Sequence, residues 1–159
     1  MTGIAVDAFL ADSVSSEDGK LHAQGAGWNR ILTPGLPTLH GRIGLGLVVR
    51  VPAAAAGAEH EIVVALHGPD GELVPLGVMA GDGESPIESV TGTFSVDTDG
   101  AVEEELLPVA INVDGLRLER AGVHRFVVSI DGALVRSVPF AVTVRGDGDG
   151  DGDGDGDAA

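Results

Sequence analysis

Apolar and polar residues alternate with period two through the last part of the chain. Phe126, Val128 and Ile130 are interleaved with Arg125, Val127 and Ser129; beyond Asp131-Gly132, Val138, Phe140, Val142 and Val144 alternate with Pro139, Ala141 and Thr143. This spacing puts successive side chains on opposite faces of a strand and buries one of them. Pro139 has no N–H to give a ladder, so the last strand is expected at a sheet edge or to change partner there. Segments 42–51, 60–68, 90–96, 123–131 and 133–144 are rich in Val, Ile, Leu and Phe and read as strands. Asp-Gly pairs at 18–19, 70–71, 82–83, 99–100, 114–115 and 131–132 punctuate them as tight turns, since both residues tolerate positive φ. No stretch carries a 3.6-residue apolar stripe with a cap and a stop, and the alanines between Pro52 and Gly57 are too few for a stable helix. The pattern predicts an all-β fold, a single antiparallel β-sandwich of immunoglobulin-like or C2-like type with little helix, a barrel being the alternative.

Near the N-terminus, "AVDAFLADSV" and "KLHAQGAGW" read as two strands joined by "SSEDG", with Gly25 and Gly27 allowing a bend or a close approach. A phosphate cradle is excluded here: there is no Gly-x-Gly-x-x-Gly, no Gly-Lys-Ser/Thr and no following helix to offer N–H groups. Trp28, the single tryptophan, is expected in the core or on its rim, with its N–H bonded to an acceptor. Leu10, Ala11 and Asp12, then Asp18, Gly19, Lys20 and Leu21, then Gly25, Gly27 and Trp28 form a spaced signature. With the later "HEIVVALHGPDGELV" and "AGVHRFVVSIDGALVRSVPFAVTV", it resembles a family of small uncharacterised proteins frequent in actinobacteria. The resemblance spans most of residues 8–144. It implies a β-sandwich and no established activity, and it does not extend to the "GDGESPIES" segment at 81–89 or to the Gly-Asp tail.

The 159 residues suffice for one domain, expected over 1–145, followed by a low-complexity tail over 146–159 in which Gly and Asp alternate. Such a tail has nothing to bury and is expected to stay disordered. The formal charge is −16; the six tail aspartates leave −10 on the domain, which is therefore acidic in its own right. One lysine and eight arginines without a basic run exclude a nucleic-acid or anionic-membrane surface. Basic protein surfaces and cations are the partners that such a field favours. With no cysteine there is no disulfide, thiolate metal site or thiol nucleophile. The N-terminus reads neither as a signal peptide nor as a membrane span, so a cytoplasmic protein without membrane insertion is expected.

Candidate chemistry is sparse. There is no Gly-x-Ser-x-Gly elbow, no tyrosine, and no constellation around the five histidines, so no catalytic residue, cofactor or enzymatic activity is expected. His60-Glu61 is not followed by the second histidine of a zinc helix, and on a strand the two residues point to opposite faces. His124 stands two residues before Phe126, where sandwich domains place a corner tyrosine, and is expected as a hydrogen-bonded corner histidine. Among the carboxylates of "DTDGAVEEE", Asp97, Asp99 and Glu103 are weak calcium candidates, as in the tip loops of C2-like modules; the competing reading is a solvated edge. The tail lacks the glutamate that completes an EF-hand loop and is expected to bind divalent cations only weakly. These readings point to a non-enzymatic protein-binding or adaptor module. The alternative is a self-assembling structural protein forming an oligomer or filament, suggested by 43% hydrophobic but only 3% aromatic residues. A calcium-responsive C2-like module is the third.

Overall fold

The alternating segment at the end of the chain forms a hairpin, its two strands paired from Gly122↔Val142 to Ile130↔Ala133 around a turn with Asp131 at φ 51° and Gly132 at φ 81°. The computed structural model describes residues 3–79, 85–100 and 102–146. The Asp82-Gly83 turn and the tail from Asp147 onward lie outside the described residues. Within them the strands are β1 (Ala5–Ala11), β2 (Ser13–Glu17), β3 (Lys20–Gln24), β4 (Arg30–Thr33), β5 (Thr38–Pro52), β6 (His60–His67), β7 (Leu73–Val74), β8 (Gly77–Met79), β9 (Ser85–Ile87), β10 (Ser89–Phe94), β11 (Glu104–Leu118), β12 (Gly122–Ile130) and β13 (Ala133–Val144). The one helical element among the described residues is a 3-10 turn at Ala53–Ala55, and no helix there is long and apolar enough to cross a membrane.

Two larger sheets result: β1-β5-β11, wholly antiparallel, and β10-β6-β12-β13-β4, with β7 paired to β6 and β4 parallel to β13. Their apolar faces supply one core. From the first come Ile43, Leu45, Leu47, Val49 and Val51 of β5, all without solvent exposure; from the second come Val64, Leu66, Phe126, Val128, Phe140 and Val142. The period-two pattern thus identifies the inner face of both β12 and β13. Pro139 behaves as its missing N–H requires. It sits opposite Arg125 on the stretch of β13 that has β12 alone as partner, and β4 joins only from Ala141.

Three local readings change. The first predicted strand breaks at Asp12: β1 pairs with β5, while β2 and β3 form a separate hairpin around Asp18-Gly19. Gly25 permits the break, since it has φ 62° and an added Cβ would lie 2.1 Å from Asp12 Oδ2. Asp114-Gly115 is not a turn but part of the 15-residue β11, where Gly115 at φ 63° falls opposite Gly41 of β5. The alternation shifts at that pair, the buried positions passing from Val113 to Leu116 and Leu118. Finally, Trp28 packs half-buried on the core rim beside His40, but its buried indole N–H has no acceptor among the described residues.

Candidate functional site

Each end of β12 carries a buried histidine environment, and the two differ chemically. At the far end, the Asp131-Gly132 turn brings Asp131 against the start of β6. His60 Nδ1 lies 2.7 Å from Asp131 Oδ2, His60 Nε2 lies 2.8 Å from the Ala55 carbonyl, and Asp131 Oδ1 accepts from the Glu61 N–H at 3.0 Å. A carbonyl only accepts, and so does an ionised carboxylate, so this geometry suits a ring that donates from both nitrogens. The Ala55 carbonyl foremost, and then the Asp131 carboxylate, accordingly hold the His60 imidazolium above the usual histidine value, against desolvation. Asp131 is held below the usual carboxylate range by His60 and by the Glu61 N–H. The pair resembles an acid–histidine dyad, but no nitrogen lone pair remains to take a proton from a substrate. It is a latch joining the β12–β13 turn, β6 and the 3-10 turn.

At the near end, His124 is 2% exposed and stacks on Phe140 with ring centroids 5.4 Å apart. Its Nδ1 is 3.2 Å from the Gly122 carbonyl, to which it donates, whereas Nε2 has no hydrogen bond among the described residues. The ring does sit at the β11–β12 corner, as expected of a corner histidine, but it also lines a cleft of about 510 Å³. The walls come from four separate parts of the chain: Leu39 of β5, the continuous stretch from Glu72 through Leu73 to Val78, Pro86 of β9, and the corner with Arg117 and Arg120. Leu39, Leu73 and Val78 are 69%, 47% and 58% exposed, an aliphatic concentration unusual for an acidic surface.

The turn framing this cleft is built from backbone constraints. Gly68 donates to the Glu72 carbonyl at 2.8 Å, Gly71 donates to the Gly68 carbonyl at 3.0 Å, and Asp70 donates to Glu72 Oε2 at 2.9 Å. Gly122, at φ 126°, lets Pro69 approach so closely that an added Cβ would lie 2.9 Å from its ring. Glu72 is held below the usual carboxylate range chiefly by its own N–H, helped by the Asp70 N–H, Arg120 and His124, against desolvation. Arg120 pairs with Asp70 and lies 4.0 Å from Glu72, while Arg117 pairs with Glu119 at 3.0 Å. The rim is therefore charged but internally compensated around an apolar middle.

The calcium candidates lie elsewhere. Asp97, Asp99 and Glu103 are exposed along the segment joining β10 to β11, where Gly57 donates to the Val96 carbonyl and Ala53 to the Glu103 carbonyl. Among the described residues no three His, Cys, Asp or Glu side chains are grouped as a metal ion requires. The cleft residues carried no sequence signal, because no two of the four contributing parts form a recognisable motif. The His60–Asp131 latch was equally hidden, its partners being 71 residues apart.

The sequence model of a family of unknown function (DUF6941) matches residues 6–143. No curated protein sequence matches the chain. Among solved structures, a Pseudomonas fluorescens alkylpurine DNA glycosylase AlkC, bound to DNA containing an abasic site analog, aligns with 87% of this chain at 10% identity and a TM-score of 0.42. The alignment spans 30% of that chain, and a likeness at this level bears on neither fold nor function.

Proposed function

The chain belongs to that family of unknown function, so its role has to be read from the site, and we propose a non-enzymatic binding module that takes a segment of a partner protein into the cleft beside His124. The observation that carries this is the convergence of exposed Leu39, Leu73 and Val78 on one groove bordered by Asp70, Glu72 and Glu119. An aliphatic side chain fits between the first three, and a neighbouring lysine or arginine competes with Arg120 and Arg117 for Asp70, Glu72 and Glu119; the strongly negative domain draws such a segment in. A catalytic reading has less behind it: one buried histidine is locked on both sides, and the other faces no hydroxyl or thiol nucleophile in the cleft.

The fold has a finer reading as well. The order β1-β5-β11 against β10-β6-β12-β13, with β4 running parallel on β13, supports an immunoglobulin-like sandwich whose smaller sheet lacks its fourth strand. In such a sandwich the corner that carries His124 and Arg120 belongs to one of the two loop-bearing ends, where binding sites collect.

The test is a selection from a random peptide library on the purified protein, beside the Leu73→Asp/Val78→Asp variant. Enrichment of peptides pairing an aliphatic residue with Lys or Arg, lost on the variant, is expected. No enrichment, or equal enrichment on both proteins, would overturn the reading.

A further inference from the structure

The inward row of β12 runs His124, Phe126, Val128, Ile130, so a histidine occupies what is otherwise a core position at the cleft end of the strand. Three polar side chains are buried among the described residues: Thr33, His60 and His124. Thr33 Oγ1 donates to the Gly35 carbonyl at 2.9 Å, and His60 is engaged at both ring nitrogens. Only His124 keeps a polar atom without a partner among the described residues. Its ring lies on Phe140 and its Nδ1 is turned to the Gly122 carbonyl, which leaves the Nε2 edge to line the cleft. A buried polar atom is costly unless something bonds to it. An apolar side chain would fill the same place without that cost.

Burial decides what reaches Nε2. Leu39, Leu73 and Val78 are about half or more exposed and stand at the mouth, whereas His124 is almost fully buried behind them. A bound segment therefore keeps its backbone outside and sends a side chain past the aliphatic walls to the ring. Charge narrows the choice of its tip. A carboxylate would face Glu72, which is close enough to His124 for the two to interact, and an ammonium or guanidinium would face Arg117 and Arg120. Since Arg120 pairs with Asp70 and Arg117 with Glu119, a charged tip also has to displace an existing partner. An apolar tip shuts Nε2 off from water and leaves it unbonded. A carboxamide leaves its second polar atom against an aliphatic wall. A hydroxyl brings no charge, and because it both donates and accepts it satisfies Nε2 whether the ring carries one proton or two.

We propose, on the reading of this cleft as the binding site, that the bound segment presents a hydroxyl side chain to His124 Nε2 beside the aliphatic residue that fills the mouth. His124 is thereby the specificity-determining residue of the cleft. It separates serine, threonine or tyrosine from alanine, valine or phenylalanine, because a side chain without the oxygen desolvates Nε2 and puts nothing in place of the lost water. A cleft of about 510 Å³ has room for a short hydroxyl side chain and for a tyrosine ring.

The peptide selection tests this with His124→Phe as a second bait, which keeps an aromatic ring on Phe140 and removes the nitrogen. Peptides enriched on the wild type are expected to carry Ser, Thr or Tyr at a fixed spacing from the aliphatic residue, and the one that predominates shows whether a short or an aromatic side chain reaches the ring. On His124→Phe the aliphatic and basic residues should persist while the hydroxyl preference vanishes. In calorimetric titration, an enriched peptide and its analogue lacking the hydroxyl should differ about tenfold in affinity for the wild type and less than about twofold for His124→Phe. Circular dichroism establishes that the variant is folded; if it is not, the nitrogen chemical shift of His124 Nε2 in the wild type decides, moving with the hydroxyl peptide and not with its analogue. Enrichment of aliphatic and basic residues without a hydroxyl residue, equal affinity for the two peptides, or the same loss on His124→Phe overturns the role of His124 and leaves the cleft as the binding site. An empty selection, or one that Leu73→Asp/Val78→Asp does not abolish, overturns the cleft reading and this assignment with it.

Discussion

The two ends of β12 hold histidines of nearly equal burial with opposite hydrogen bonding. His60 is engaged at both ring nitrogens, by Asp131 and by the Ala55 carbonyl, and closes one end of the larger sheet. His124 is engaged at one, by Gly122, and the other end opens into the cleft. Burial alone therefore does not separate a structural histidine from a site histidine; the number of ring nitrogens already satisfied does. A ring with both occupied can only hold things together, whereas a ring with one unoccupied nitrogen can still bond to a ligand.

The largest effect should come from the residue between the two ends. Phe126 is fully buried beside Phe140, and Phe126→Ala should destabilise the protein by about 3 to 5 kcal/mol, read as a lowered denaturant midpoint. Loss of the latch and the cleft in one cooperative transition would show that β12 couples them. Two separated transitions would show that it does not.

Next is the latch itself. His60→Ala leaves the Ala55 carbonyl without its donor in a buried place and should cost about 1 to 3 kcal/mol. At the open end, a change of comparable size is expected from Gly122→Ala, which puts a Cβ at φ 126° and against Pro69, at about 1 to 3 kcal/mol. The two should differ in binding, since only Gly122→Ala displaces the turn that carries Glu72, and peptide binding should weaken with it alone.

A pH series separates the ends more finely. The raised His60 value means that its contribution is complete below the ordinary histidine value and is lost as pH rises through the folded one; the lowered Asp131 value means that its contribution is complete above the ordinary carboxylate value and is lost as pH falls through the folded one. The latch is therefore strongest between those ordinary values. The melting-temperature gap between wild type and His60→Gln should be widest near pH 6 and should narrow as pH rises above the ordinary histidine value. A gap that stays constant as pH rises would mean that folding leaves the His60 value unshifted, and a gap that widens would mean that His60 is neutral in the folded protein.

The smallest effect on stability belongs to the cleft walls. Leu73→Asp and Val78→Asp alter exposed side chains and should each change stability by less than about 0.5 kcal/mol, while abolishing peptide capture. A larger loss of stability would place these residues among the structural ones and remove the contrast between the ends.

Much of the sheet was legible because its causes are local. The alternation along 123–144, the Asp-Gly turns at 18–19 and 131–132, and the demand that Pro139 makes on its neighbours all act between residues adjacent in the chain or across one hairpin. The same local rules misread Asp114-Gly115, since a glycine at positive φ serves a bend inside paired strands as readily as a turn between them, and the facing Gly41 lies 74 residues away. β11 was hidden for a related reason. Its acidic start, Pro108 and Gly115 break the pattern of a strand, and pairing along β5 overrides them at an edge where proline and charge are tolerated.

The sequence by itself determined an acidic all-β chain without cysteine chemistry, with its inner-facing residues on β12 and β13 already marked, because strand periodicity and charge need no knowledge of neighbours. Tertiary structure alone decided which histidine is locked and which is open, and which aliphatic residues meet in a cleft. Each of those depends on contacts between segments tens of residues apart, and side chains that the sequence presents as equivalent become different once the fold selects their partners.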